Sequence, residues 1–136
     1  MARVLAPGGR VVLATNDAGA GRVLEEAHDA AAQTLGLTCP VGLDERFSLD
    51  HIDLVQSVFP GATIVIREEA FLFPDSDAAL RYYATGMIDR VEPLPADGSH
   101  RAKLLPLVQA QLDAIIAEHG ELRVPKNSGC FVADVD

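Results

Sequence analysis

Apolar residues fall on consecutive positions at Val11-Val12-Leu13-Ala14, directly behind the turn signal Pro7-Gly8-Gly9. An unbroken apolar run of this kind predicts a strand over residues 10–15 covered on both faces, as in a parallel sheet, with a neighbour on each side. The period then lengthens. Leu24, Ala27, Ala31 and Leu35 recur at helical spacing, with Glu25, Glu26 and Asp29 on other faces, so a helix is predicted over about 20–35, stopped by Gly36. Residues 37–47, holding Pro40 and Gly42, read as a loop. Ser48 suits the N-cap of a short helix ending near Phe59, with Ile52, Val55 and Val58 on its apolar face and Pro60-Gly61 beyond.

The β-branched run Thr63-Ile64-Val65-Ile66 opens a second predicted strand, extended to Phe73, with Glu68 and Glu69 alternating outward. Asp75 or Ser76 is expected to cap a third helix carrying Leu80, Tyr83 and Met87 on one side and ending near Gly86. Pro93, Pro95 and Gly98 mark residues 89–100 as a loop. A fourth helix is predicted from about Ala102 to His119, which keeps Pro106 close to the first turn, where proline is tolerated. Cys130-Phe131-Val132-Ala133 forms the centre of a last strand over 129–134. Strands interspersed with helices predict an α/β layer structure.

Composition narrows the functional classes. The chain has 136 residues, about half hydrophobic, which is one domain or a large piece of one. Eleven Lys and Arg against 20 Asp and Glu leave a net charge of −9. With no basic run as a local exception, nucleic acid and acidic membrane surfaces are not expected partners. No apolar run approaches the length of a membrane span, and Pro7 breaks the apolar stretch after Arg3 where a signal peptide would continue. Cys39 and Cys130 lie outside any CxxC pair and are expected to be buried thiols in a reducing cytoplasm. His28, His51, His100 and His119 have no carboxylate at ligand spacing, so no metal site is expected; His28 and His51 read as surface residues. A nucleophile elbow is missing, which removes support for hydrolase chemistry.

Read together, Arg3-Val4-Leu5-Ala6-Pro7-Gly8-Gly9 and the strand behind it resemble the segment that opens the fifth strand in class I S-adenosylmethionine-dependent methyltransferases. Ala6 stands where that family usually has Lys. Phe47-Ser48-Leu49-Asp50 resembles the helix before the family's sixth strand. Leu72-Phe73-Pro74-Asp75, with Leu80 and Tyr82-Tyr83, resembles an insertion found in one branch. Gly129 to Ala133 resembles the seventh, antiparallel strand. The resemblance implies a single partial domain over 1–136: the last three strands of a Rossmann-like methyltransferase sheet, the final one antiparallel, with a helical insertion at about 75–120.

The family's cofactor signature, an acidic glycine-rich turn after the first strand and an acidic residue ending the second, is not in this sequence. The resemblance therefore implies S-adenosylmethionine as the cofactor of the whole fold but no cofactor binding by this chain alone. It also implies that the strand over 10–15 has an edge to be met by a missing N-terminal half or by a second copy. A non-catalytic α/β binding module derived from that fold is the alternative.

Gly19-Ala20-Gly21 offers two-thirds of a dinucleotide-binding fingerprint, but Leu24 fills the third small position. Asn16 and Asp17 end the first strand, where ligands of open α/β sheets bind, although both residues read first as a turn and a helix N-terminus, which Asn and Asp favour. Asp44-Glu45-Arg46 reads first as a solvated loop, with Arg46 a candidate for a substrate pocket. Tyr83 shares a stripe with Leu80 and Met87 and is expected in the core, which leaves Tyr82 to be exposed or to line a pocket. Substrate contacts for a small molecule are thus expected at Asn16, Asp17, Arg46 and Tyr82; no catalytic base is assigned.

Overall fold

A computed structural model describes residues 5–40 and 46–135. The expectations for Arg3, Val4, Gly42, Asp44 and Glu45 lie outside the described residues. In chain order the elements are β1 (Arg10–Asn16), α1 (Arg22–Thr34), α2 (Ile52–Val58) entered through a 3-10 turn at Leu49–His51, β2 (Thr63–Arg67) and β3 (Ala70–Phe73). Then follow α3 (Ser76–Tyr83), a 3-10 turn at Met87–Asp89, α4 (Ser99–His119), β4 (Leu122–Pro125) and β5 (Ser128–Asp134). The protein is mixed α/β, with four α-helices and two small antiparallel sheets among the described residues. They form two compact units, and the chain crosses between these at 20–21, 42–43, 69–70 and 125–126.

The first unit holds β1, α2, β2 and β5. Its sheet has the order β1-β5-β2, with β5 antiparallel to both neighbours. β1 and β2 therefore run parallel to each other with β5 between them. Pro7-Gly8-Gly9 makes the turn into β1: Gly8 has φ +75° and donates its N–H to the Val135 carbonyl at 2.7 Å. A Cβ on Gly9 would come within 2.8 Å of the Ala6 carbonyl oxygen, so only glycine turns there without strain.

Strand alternation sends Val11, Phe131 and Ala133 to one face of this sheet, where they bury against Leu49, Val55, Phe59 and Ala62. Ser48 caps the 3-10 turn, its side chain accepting from the Asp50 N–H while the His51 ring returns to the Ser48 N–H at 3.1 Å. Gly129 lets β2 and β5 approach closely. A Cβ there would stand 2.3 Å from the Val65 carbonyl oxygen and 3.1 Å from Leu49 Cδ1.

The second unit holds α1, β3, α3, α4 and β4. Leu24, Tyr83, Leu104, Val108, Leu112, Leu122 and Val124 are its largest core residues apart from Ile88. Asp75 caps α3 by accepting from the Ala78 N–H at 2.8 Å, as its position before the apolar stripe suggests.

Several expectations give way. The strand expected over 63–73 breaks after Arg67: Glu68 and Glu69 lie between β2 and β3, and the two strands join different sheets. Successive strand residues point to opposite faces, so a strand continued through both glutamates would turn one of them inward. β4 was not expected; Leu122 and Val124 alternate inward over only four residues, too short a signal beside the long helix before it. β1 is covered on one face, not two: Val11 is buried while Val12 is 55% exposed. α4 begins at Ser99, so Pro106 sits well inside the helix. α3 ends at Tyr83 rather than near Gly86. His28 is buried, not on the surface. Cys39 and Cys130 are free and partly exposed.

Candidate functional site

The face of the first unit's sheet opposite α2 is open. Register sets its rows. Asn16 and Arg67 both stand beside Ser128, Ala14 and Val65 beside Cys130, and Val12 and Thr63 beside Val132. Because β1 and β2 are parallel, their carboxyl ends bring Asn16 and Arg67 to the same end of the face. A groove of about 590 Å³ lies over these rows, lined by Val12, Ala14, Asn16, Val65, Arg67, Ser128 and Cys130 among others. Its middle is apolar and exposed, Val65 at 58%. One end is the polar row. At the other end of β1 and β5, Arg10 donates from Nε to Asp134 Oδ1 at 2.7 Å, and this pairing holds the Asp134 carboxyl below the usual range.

At the polar end the loops are tied down. The Asp17 N–H donates to the Asn127 carbonyl at 3.1 Å, and Asn127 Nδ2 donates to Asp17 Oδ2 at 3.0 Å. The Ala18 N–H donates to Asp50 Oδ2 at 3.1 Å, and the Thr15 hydroxyl to the Phe47 carbonyl at 3.0 Å. The Ser128 hydroxyl donates to Glu69 Oε2 at 2.9 Å. The Arg67 side chain makes no ion pair or hydrogen bond among the described residues, and neither does the Asn16 side chain.

Of the expected site residues, Asn16 lines the groove. Asp17 is bound into the loop through Asn127, with Oδ1 buried and without a partner among the described residues. Arg46 is exposed beside Phe47, which stacks near His51 and Phe131. Tyr82 belongs to the second unit, partly exposed against Phe71 and Phe73, with ring centroids at 5.2 and 6.1 Å. Arg67, Ser128 and Cys130 were not expected at a site from sequence. The alternation of Thr63, Val65 and Arg67 was visible, but only register places Arg67 across from Asn16.

The second unit carries a buried polar cluster. His28 Nε2 lies 3.0 Å from the Arg90 carbonyl, which can only accept, so Nε2 holds the proton. In the neutral ring Nδ1, 2.7 Å from the Tyr83 hydroxyl, is then the acceptor and Tyr83 the donor. Burial raises the Tyr83 hydroxyl's pKa well above its ordinary value. Cys39 is pushed up to about 12, first by burial and then by Asp29, so it is a thiol and not a nucleophilic thiolate at neutral pH. Arg101 and the His100 ring hold the Asp89 carboxylate below the usual range.

The glycine turn offers no phosphate cradle. The N–H groups of Asp17, Ala18, Ala20 and Gly21 donate to Asn127, Asp50, Asp17 and Pro125 respectively. No group of three or more His, Cys, Asp or Glu among the described residues could hold a metal ion. No helix among them is long and apolar enough to cross a membrane. Compared with known proteins, the chain matches no family model and no curated protein.

Proposed function

We propose that this chain is the C-terminal half of a class I S-adenosylmethionine-dependent methyltransferase fold and supplies its substrate side. One observation carries the reading: a strand introduced by Pro-Gly-Gly is followed by two more in the order β1-β5-β2, the last antiparallel between parallel neighbours. That is the strand arrangement the resemblance implies for the end of a Rossmann-like methyltransferase sheet. The groove containing Asn16 then forms part of a wall for a small-molecule substrate. The two free cysteines suit a reducing cytoplasm.

The residues of this chain do not fit the cofactor itself. In the turn at 17–21, the N–H groups of Asp17, Ala18, Ala20 and Gly21 are already engaged within the chain. Cofactor contacts would have to come from a polypeptide paired along the outer edge of β1, which among the described residues has β5 on one side only. Calorimetry tests this. The chain alone is expected to take up no S-adenosylmethionine. Co-expressed with the polypeptide encoded in frame upstream, it is expected to copurify and the complex to bind the cofactor. Failure to associate overturns the reading, and association without cofactor binding leaves the non-catalytic module.

A further inference from the structure

We infer that the groove on the open sheet face binds a small amphiphilic anion, its acidic group on Arg67 and its apolar body over Val12, Ala14, Val65 and Cys130. The inference does not depend on the methyl-transfer reading. Three observations support it. The groove volume, about 590 Å³, falls within the roughly 300–1,000 Å³ of small-molecule sites. The lining is apolar in the middle and polar at one end, which orients a ligand with one charged terminus. Arg67 is a guanidinium without an ion pair or hydrogen bond among the described residues, in a chain of net charge −9. A guanidinium presents a planar fork that matches a carboxylate or sulfonate in a bidentate pair.

Asn16, level with Arg67 across Ser128 and also without a side-chain partner, offers a second donor. The Ser128 hydroxyl is already given to Glu69. Glu69 is a carboxylate near this end and works against an anion, so the Arg67 contact has to decide the sign of the ligand.

The test is calorimetry on the full chain with decanoate, decanol and decyltrimethylammonium, each below its micelle concentration. Overall charge favours the cation, so a preference for decanoate reports the local site. Decanoate is expected to bind at least tenfold tighter than decyltrimethylammonium or decanol. Arg67→Gln should weaken decanoate at least tenfold and leave decanol unchanged. Val65→Asp should abolish binding of decanoate. Both side chains are exposed, and circular dichroism verifies that each variant is folded. No decanoate binding to the unmodified chain, equal affinities for the three probes, or undiminished binding to either folded variant overturns the inference.

Discussion

At the scale of single residues, the second unit holds a buried contact between Tyr83 and His28. The Arg90 carbonyl fixes the imidazole proton on Nε2, which leaves Nδ1 one donor to accept from, the Tyr83 hydroxyl at 2.7 Å. Both side chains are buried, so water does not replace that donor freely. Tyr83→Phe keeps the ring and the packing but strands a buried acceptor, which costs about 1–3 kcal/mol. Urea unfolding followed by circular dichroism should show a lower midpoint of that size; an unchanged midpoint would mean that the hydroxyl contributes nothing. His28 reads as a surface residue in sequence because its apolar stripe is already complete without it. Only the approach of α3 and of the Arg90 backbone explains why an imidazole is inside.

Among the elements, α4 departs furthest from its pattern. Proline lacks an N–H and its ring crowds the preceding turn, so Pro106 leaves the Ala102 carbonyl without its usual helical partner. Leu104, Val108 and Leu112 nevertheless bury fully, and tertiary packing holds the helix through the defect. Since Pro106 is itself exposed, Pro106→Ala restores the hydrogen bond without disturbing the core. The expected result is a gain of about 1–3 kcal/mol, read as a higher urea midpoint. A loss of stability would mean that the core is fitted to a bend at that point.

For the molecule as a whole, the consequential feature is a sheet with an unsatisfied border. β1 is seven residues long, pairs on one side only among the described residues, and has a single charged residue, Arg10, already engaged by Asp134. Natural edge strands are usually shortened, bulged or charged to prevent pairing with other chains. Sedimentation velocity should therefore show concentration-dependent self-association of the isolated chain. Val12→Lys, which places a solvated charge on this strand, should reduce it. A chain that stays monomeric at the highest attainable concentration would remove the edge from consideration as a partner surface.

Local chemistry was enough to read the elements with the strongest signals: the Pro-Gly-Gly turn into β1, the Ser48 and Asp75 caps, the helix stopped by Gly36, and the apolar last strand. Each carries a signal within a few residues, a turn former, a cap, a stop or an unbroken apolar run, which a sequence displays directly. The candidate site was legible only at Asn16. Arg67 and Ser128 are far from it in the chain, and β-pairing register alone brings the three side by side. Register is a contact between distant segments. It depends on how Phe131 and Val11 pack under α2 and on Gly129 allowing β2 close, and no local pattern encodes it. The same non-local packing decided that β1 would be covered on one face and open on the other, although its apolar run reads the same in either case.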